Sequence, residues 1–268
     1  MTVRLIDYQI AIPTYKRADI LVSQSLATLD RGGVDRDKVA IFVADEQQRE
    51  EYSTHLKGDW RLEISCPGKF HSLRYYVGTY YKKGTPLLSL DDDIGWFSEL
   101  CRDGKLHDYE GTIDEVVDLG FRVCRKYGAP MWGMNPTPNA LWMKRQISVG
   151  LRYIIGCFHG LYAGEEAITG ERLALDAPSC DDHETALRAW IRTRALVRFE
   201  YLCPKTKYFA GGGIDAYCVD RGTTRREVHD ARMWQIAQKW PSICYVRKKA
   251  GGVPNLRFKS VTKARLSR

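Results

Sequence analysis

Short apolar runs alternate with segments of helical spacing through the N-terminal third of the chain. Runs of strand length occur at residues 8–12, 39–43 and 87–90, and residues 61–65 predict a further short strand. Residues 20–29 and 69–81 place apolar side chains at helical intervals and predict helices. This order of elements predicts an α/β fold with a mostly parallel central sheet flanked by helices, the arrangement of Rossmann-like proteins.

The pattern continues beyond residue 110 with three helices. Thr112 and Glu115 have the spacing of a capping box and predict a helix over residues 112–127. Residues 184–197 and 225–239 also predict helices, and residues 152–158 predict a strand. No repeat or low-complexity linker divides the chain. We therefore expect a single domain over residues 1–245, followed by a basic C-terminal extension over residues 246–268.

Polar residues follow three of the predicted strands. Thr14 comes after the first strand, Asp45 after the second, and the triplet Asp91-Asp92-Asp93 after the strand at 87–90. The carboxyl ends of parallel strands meet at one edge of a sheet, where open α/β sheets bind their ligands. The sequence therefore predicts a ligand site that these residues share.

The acidic triplet has the composition of a metal site. Adjacent carboxylates repel one another unless a cation compensates them, and carboxylate oxygens suit Mg²⁺ or Mn²⁺. In an extended segment Asp91 and Asp93 would point to the same side, so both are predicted metal ligands. A solvated acidic turn is the alternative.

The positive charge of the chain is concentrated at its C-terminus. The net charge is +8, and residues 246–268 contain eight Lys and Arg residues and no Asp or Glu, so the rest of the chain is neutral. A basic segment of this kind favours a polyanionic partner such as nucleic acid. A solvated tail that aids solubility is the alternative.

The remaining composition is that of a soluble protein. No apolar run is long enough to span a bilayer, and the N-terminus has no signal-peptide pattern. We therefore predict a cytoplasmic protein without stable membrane insertion. The eight cysteines have no zinc-site spacing and predict reduced, mostly buried thiols, while the oligomeric state is left open.

Two segments resemble the GT-A glycosyltransferases. Residues 10–17 (IAIPTYKR) resemble the opening strand and loop of that family, and Asp91-x-Asp93 resembles its Asp-x-Asp motif. The resemblance implies a metal-dependent hexosyltransferase-type enzyme with a nucleotide-sugar donor, usually UDP-linked. It implies that the donor is bound by Thr14, Arg17, Asp45, Arg74, Asp91 and Asp92, and that Asp91 and Asp93 hold Mn²⁺ or Mg²⁺.

The acidic run at residues 181–184 resembles a further GT-A feature, the helix-opening motif that supplies the base in inverting enzymes. An acceptor hydroxyl must lose a proton, and a carboxylate can accept it. The resemblance implies that Asp182 is this catalytic base. A simple helix cap is the alternative, since Asp is a preferred N-cap residue.

The acceptor is suggested by a second resemblance. The compact chain, the basic tail and residues 205–212 (KTKYFAGG) resemble phage-type, TET-associated DNA glycosyltransferases. This implies 5-hydroxymethylcytosine in DNA as acceptor. A stacking surface for an extruded base would be formed by Trp132, Asn135, Asn139 and Trp142. The alternatives are a glycan or lipid-linked acceptor, a nucleotidyltransferase, and a non-catalytic nucleic-acid-binding module.

Overall fold

The central sheet organises the chain. The structure, a computed structural model, describes residues 5–65, 80–164, 179–206, 213–219, 222–248 and 251–267. Within these residues the largest sheet has nine strands. From one edge to the other they are β14 (Val261–Ser267), β8 (Gln146–Leu151), β10 (Leu196–Phe199), β7 (Met131–Met134), β9 (Phe158–Tyr162), β4 (Pro86–Leu90), β1 (Gln9–Pro13), β2 (Val39–Val43) and β3 (Arg61–Ile64).

Most strands of this sheet point the same way. The pairs β1–β2, β1–β4, β2–β3 and β7–β10 are parallel. Strand β9 runs antiparallel to both β4 and β7, and β8 runs antiparallel to both β10 and β14. Only β8 and β9 therefore oppose the common direction within the described sheet. The predicted mostly parallel α/β sheet is confirmed.

Two smaller sheets complete the strand set in the described residues. Strands β5 (Ile94–Leu100), β6 (Leu106–Asp108) and β11 (Leu202–Thr206) form one of them, in the order β11–β5–β6. Strands β12 (Cys244–Lys248) and β13 (Pro254–Phe258) form an antiparallel hairpin. Strand β5 follows the acidic triplet directly, so the triplet lies at a junction between two sheets.

Helices cover both faces of the central sheet. The helices are α1 (Ala18–Leu21), α2 (Ala27–Arg31), α3 (Glu46–His55), α4 (Ile113–Tyr127), α5 (Asp181–Thr193), α6 (Gly213–Val219) and α7 (Arg225–Lys239). On strand β1, Ile10 and Ile12 join a core with α1, α2 and α4, whereas Ala11 joins a core with α5 and α7. Alternate side chains of a strand point to opposite faces, so one strand serves both cores.

Several predicted elements are confirmed with their bounds. Strand β2 spans residues 39–43, and helix α7 spans residues 225–239. Helix α4 begins after Thr112, whose side chain accepts from the Glu115 backbone amide in the predicted capping box. Six of the seven described cysteines are buried, as predicted.

Other predictions need correction. The predicted helix at 20–29 contains a π-helical segment, Val22–Leu26, between α1 and α2. The predicted helix at 184–197 begins at Asp181 and ends at Thr193, because Arg194 adopts a left-handed backbone with φ 54°. The predicted strand at 152–158 is wrong: residues 152–157 connect β8 to β9. Most of the predicted helix at 69–81 lies outside the described residues.

The C-terminal segment differs from the predicted separate extension. The expected boundary after residue 245 falls inside strand β12, and β14 pairs with β8 along the edge of the central sheet. The sequence did not predict this role because the exposed positions of these strands carry the basic residues, while other positions of the same strands pack inward. In the described part of the chain, no helix combines the length and apolarity that crossing a membrane requires.

Candidate active site

The predicted site residues lie along one edge of the sheet. Strands β2, β1 and β4 are neighbours and run parallel, so their carboxyl ends meet there. Thr14 directly follows β1, Asp45 comes two residues after β2, and Asp91 directly follows β4. The topology thus brings together the three segments that sequence analysis singled out.

The loop after β1 is fixed by a tyrosine of helix α3. The Tyr52 hydroxyl lies 2.8 Å from Thr14 Oγ1 and accepts a 2.8 Å hydrogen bond from the Arg17 backbone N–H. Thr14 is buried and also donates from its hydroxyl to Asp92 Oδ2 at 2.8 Å. Loop, helix and acidic turn are therefore joined by one buried hydrogen-bond network. Sequence analysis did not identify Tyr52, because a single tyrosine on a polar helix carries no motif.

Arg17 supplies the positive charge that the acidic residues require. Its Nη1 lies 3.1 Å from Asp92 Oδ1 and 3.5 Å from Asp93 Oδ2, and both carboxylates are mostly buried. Asp92 and Asp93 form a turn between β4 and β5 and are not an extended segment. Side chains in a turn do not alternate as they do in a strand, so the predicted pairing of Asp91 with Asp93 does not follow. Asp92 and Asp93 instead share the Arg17 guanidinium.

Burial sets the protonation tendency of this acidic pair. It raises the pKa of both Asp92 and Asp93 above the ordinary value, while Arg17 opposes that shift. Hydrogen bonds from Thr14 to Asp92 and from Thr206 to Asp93 also favour the charged forms. The pair is thus a desolvated carboxylate site whose charged form depends on nearby positive charge and hydrogen-bond donors.

Asp91 is held through its backbone. Its carbonyl accepts from Ser25 Oγ at 2.6 Å, and the same hydroxyl accepts from the Ile94 N–H at 2.9 Å. Ser25 belongs to the π-helical segment, and such segments are frequent at functional sites. The π turn aims Ser25 at the acidic turn, which the helical pattern of the sequence could not reveal.

Asp45 has a structural partner at the same edge. It is exposed, and as the N-cap of α3 its Oδ1 accepts from the Gln48 N–H at 2.8 Å. The Gln48 side chain in turn accepts from the Lys16 backbone N–H at 3.3 Å. Asp45 thereby supports the loop after β1. Arg74 lies outside the described residues.

Two further residues from the C-terminal half reach the acidic turn. Thr206, at the end of β11, donates to Asp93 Oδ1 at 3.1 Å. Arg225, at the start of α7, pairs with Asp215 at 3.5 Å, and its charge opposes the burial-driven rise in the pKa of Asp93. Neither residue was predicted as a site residue, although Thr206 lies in the segment 205–212, because both reach the site only through the fold.

Asp182 lies in the first turn of α5, where it receives hydrogen bonds from several directions. Its Oδ2 accepts from the Tyr153 hydroxyl at 2.5 Å and the Gly156 N–H at 3.4 Å. Its Oδ1 accepts from the His183 N–H at 2.7 Å and lies 2.9 Å from His183 Nδ1. The N-cap position belongs to Cys180, so helix capping does not account for Asp182.

The surroundings of Asp182 keep it ionised. Burial alone would raise the pKa of Asp182, but His183 and the hydrogen bonds from His183 and Tyr153 outweigh it and lower the pKa. The rings of Tyr153 and His183 stack with centroids 4.1 Å apart and fix both donors. A carboxylate held this way can accept a proton from a hydroxyl placed beside it.

A short segment connects Asp182 to the acidic turn. The Asp91 N–H donates to the Cys157 carbonyl at 2.9 Å, and the neighbouring Gly156 N–H points to Asp182. Acidic turn and predicted base therefore lie on either side of residues 156–157. This juxtaposition joins two sequence regions that are about ninety residues apart.

The predicted base-stacking surface is wrong in part. Trp132 is completely buried and packs on Phe199 with ring centroids 5.4 Å apart. Asn135 is buried and donates to Glu200. Trp142 is 73% exposed and remains available at the surface. The tryptophan spacing in the sequence did not distinguish a core residue from an exposed one.

The donor set suits a divalent cation in part. Asp93 Oδ1 accepts from Thr206 and Asp93 Oδ2 from Arg17, and carboxylate oxygens are the ligands that Mg²⁺ and Mn²⁺ prefer. Within the described residues, no three His, Cys, Asp or Glu side chains form a ready ligand set. Mg²⁺ commonly uses one or two carboxylates and takes its other ligands from phosphates and water. The Asp93 carboxylate is therefore compatible with a cation that a diphosphate helps to hold, and the Asp91 carboxylate stays a predicted ligand.

The mostly parallel sheet with a polar carboxyl edge defines an α/β fold of the GT-A type. Among solved structures, the crystal structure of S. aureus TarS residues 1–349 is similar, with a TM-score of 0.53 and 12% identity over 88% of this chain and 66% of that chain. TarS 1–349 in complex with UDP-GlcNAc gives a TM-score of 0.52 and 14% identity, over 87% and 67% of the two chains.

A third similar structure is the mannosyltransferase PcManGT from Pyrobaculum calidifontis in complex with GDP-Man and Mn²⁺. Its TM-score is 0.47 at 15% identity, over 87% of this chain and 65% of that chain. The chain thus spans slightly less than two thirds of the length of PcManGT and of the first TarS structure. No protein-family model matches the sequence, and no curated protein is significantly similar to it.

Proposed function

We propose that the chain transfers a sugar from a nucleotide-sugar donor to a hydroxyl acceptor. The observation that carries the proposal is the juxtaposition of the acidic turn and Asp182 across residues 156–157. A buried, cation-binding acidic turn suits the diphosphate side of a donor, and an ionised carboxylate beside it suits the acceptor side. The UDP-GlcNAc complex of the similar TarS structure supports UDP as the donor nucleotide.

In the proposed reaction the acceptor oxygen attacks the anomeric carbon of the sugar. The bond between that carbon and the diphosphate oxygen breaks, and the nucleoside diphosphate leaves with the electron pair. Asp182 accepts the hydroxyl proton, and one displacement of this kind inverts the anomeric carbon. The proposed donor site consists of Thr14, Arg17, Asp45, Arg74, Asp91 and Asp92.

Asp91 and Asp93 would hold Mn²⁺ or Mg²⁺ in this scheme. When bound, the cation supplies charge that stabilises the departing diphosphate. Arg17 already neutralises part of the acidic pair, and its guanidinium suits phosphate oxygens as well as carboxylates. We expect Arg17 to contact the diphosphate when the donor binds.

We further propose 5-hydroxymethylcytosine in phage-type DNA as the acceptor, in a cytoplasmic setting. Exposed cations of the C-terminal strands support a polyanionic acceptor. The test is mass spectrometry of an oligonucleotide containing 5-hydroxymethylcytosine, incubated with Mn²⁺ and a panel of nucleotide sugars. An oligonucleotide with unmodified cytosine and the variant Asp182→Asn serve as controls.

A hexose-sized or N-acetylhexosamine-sized mass increase, confined to the hydroxymethylated oligonucleotide and the unsubstituted protein, is the expected result. Sugar transfer to a glycan or a lipid-linked acceptor would support the proposed transferase activity and contradict DNA as its acceptor. Absence of nucleoside diphosphate release with every donor and acceptor would contradict the proposed reaction.

A further inference from the structure

The hairpin β12–β13 presents one packed face and one open face. Cys244 and Leu256 on the packed face are buried in a core with Met233 and Ile236 of α7. The open face carries Tyr245, Arg247, Asn255 and Arg257. Because strand side chains alternate, the packed face fixes the orientation of the open face.

The open face combines an aromatic ring with two cations. Tyr245 stands directly opposite Arg257, and Arg247 stands opposite Asn255. Tyr245 is 48% exposed, and both arginines are exposed. In the described part of the chain, no carboxylate lies within ion-pair distance of Arg247 or Arg257.

Folding alone does not explain this composition. Arg247 and Arg257 are diagonal neighbours on one hairpin face, within reach of each other as long side chains, so their like charges do not stabilise the hairpin. Lys263 and Arg265 on the edge strand β14 differ, because cations on an exposed edge prevent unwanted strand pairing. The hairpin face therefore favours an anionic partner more strongly than the edge strand does.

The hairpin lies beside the proposed base. Phe258 is the β13 residue next to Arg257, and its ring meets His183 edge-on with centroids 6.0 Å apart. The same ring lies 6.3 Å from Tyr153, the tyrosine that donates to Asp182. Phe258 stands opposite Cys244 and belongs to the packed face, so the packed side of the hairpin adjoins the group that surrounds Asp182, and the Tyr245–Arg257 pair lies on the other face.

We propose that the hairpin face formed by Tyr245, Arg247 and Arg257 binds single-stranded or locally opened nucleic acid. The arginines would contact phosphates, and Tyr245 would stack on a base, since stacking on aromatic side chains with basic neighbours is typical of single-strand binding. The exposed ring beside two cations favours nucleic acid over an anionic membrane, because a base offers the ring a stacking partner. That the bound strand is the sugar acceptor rests on the proposed function.

The test compares two variants of the full chain that lose the same charge. The hairpin variant Arg247→Gln/Arg257→Gln removes the cations of the open face, and the matched control Lys263→Gln/Arg265→Gln removes two cations of the edge strand. Binding of a fluorescent single-stranded oligonucleotide is followed by anisotropy over a salt series. Tyr245→Ser tests stacking separately, and circular dichroism checks the fold of each variant.

We expect the hairpin variant to bind at least about tenfold more weakly and to reduce the salt slope by about 1.4, since each phosphate contact on a single strand contributes about 0.7. The control should change binding much less. Equal losses in both variants, or no loss in the hairpin variant, would overturn the proposal. So would binding of phosphatidylglycerol vesicles in preference to the oligonucleotide.

A separate titration with UDP distinguishes a failure of the hairpin proposal from a failure of the proposed transferase activity. UDP binding should be unchanged in the hairpin variant, because the described contacts of the acidic turn come from Arg17, Thr14 and Thr206 and not from the hairpin. If the unsubstituted protein binds oligonucleotide through the hairpin but binds no nucleotide, the proposed transferase fails and the nucleic-acid surface stands. If it binds UDP but no oligonucleotide, the hairpin proposal fails alone.

Discussion

Individual side chains divide the candidate site into a proposed donor side and a proposed acceptor side. On the donor side, Arg17 bridges Asp92 and Asp93 through one nitrogen. On the acceptor side, Tyr153 and His183 hold Asp182. Each side has charged groups that would be costly to bury without partners, so each can be tested with small substitutions.

Asp93→Asn should abolish metal-dependent donor turnover and leave the fold intact. The loss should be on the order of 100-fold or more, because a cation at a leaving diphosphate contributes several kcal/mol. Nucleoside diphosphate release with and without EDTA measures it. Asp103→Asn, an exposed carboxylate on a distant turn, is the control, and full turnover in EDTA would remove the cation from the mechanism.

Asp182→Asn should keep nucleotide binding and lose sugar transfer by about 10²–10⁴-fold, the range that general bases contribute. Tyr153→Phe should reduce transfer much less, since it removes one hydrogen bond and leaves the carboxylate. Single-turnover rates with a fixed donor measure both variants. Normal transfer by Asp182→Asn would reduce this residue to a structural role.

The same residue predicts a pH dependence of stability. The pKa of Asp182 is lowered by folding, so its stabilising contribution is present above its ordinary value of 3.8 and is lost as the pH falls below that value. Melting temperatures between neutral pH and pH 3 should fall more steeply for the unsubstituted protein than for Asp182→Asn. Parallel curves would contradict the lowered pKa.

At the scale of elements, single buried side chains on helices hold a loop of the site and a neighbouring helix in position. Tyr52 of α3 holds the loop after β1, and Glu184 of α5 joins helix α7. The sequence predicted the helix that carries Glu184, because helical spacing is local, but it did not predict α3, the polar helix that carries Tyr52. It could not predict these contacts, because they depend on which helices meet.

Tyr52→Phe should destabilise the protein by about 1–3 kcal/mol, because the Arg17 N–H and the buried Thr14 hydroxyl would lose a partner. Urea unfolding measures the change. Tyr245→Phe, which removes an exposed hydroxyl, is the matched control and should change stability by less than about 0.5 kcal/mol. Similar values for the two variants would contradict the network.

Glu184→Gln should cost about 3–5 kcal/mol, since Glu184 is buried and its loss removes the carboxylate that pairs with the mostly buried Arg232. The half-exposed pair of Asp230 with Arg226 provides the control variant Asp230→Asn, expected to cost at most about 1 kcal/mol. Equal costs in thermal unfolding would mean that Glu184 does not join α5 to α7.

At the scale of the whole molecule, local sequence patterns predicted the parallel strands of the central sheet but not β14, the strand at one edge of it. The apolar runs of β1, β2 and β4 and the acidic triplet indicated the parallel half of the sheet and its functional edge. Strands β8, β9 and β14 reverse direction or carry surface charge, so their pairing depends on long-range register. For the same reason Tyr153, Thr206 and Arg225 became visible as site residues only in the structure.

Deleting residues 246–268 should therefore destabilise the whole domain. The deletion removes β14 from the sheet and uncovers the apolar face of α7 under the hairpin. We expect an aggregated or unfolded product by circular dichroism and size exclusion. The variant Lys263→Gln/Arg265→Gln, which removes two β14 charges and keeps the strand, should fold normally. A stable deletion variant would support the predicted separate extension.

The central claim is that the acidic turn binds a nucleoside diphosphate with a divalent cation. Isothermal titration of UDP into the protein in Mn²⁺ or Mg²⁺ tests it most directly, with Asp93→Asn and Asp182→Asn as paired variants. We predict binding that disappears in EDTA and in Asp93→Asn and persists in Asp182→Asn. UDP binding that survives both EDTA and Asp93→Asn, or no binding of any nucleoside diphosphate, would contradict the account.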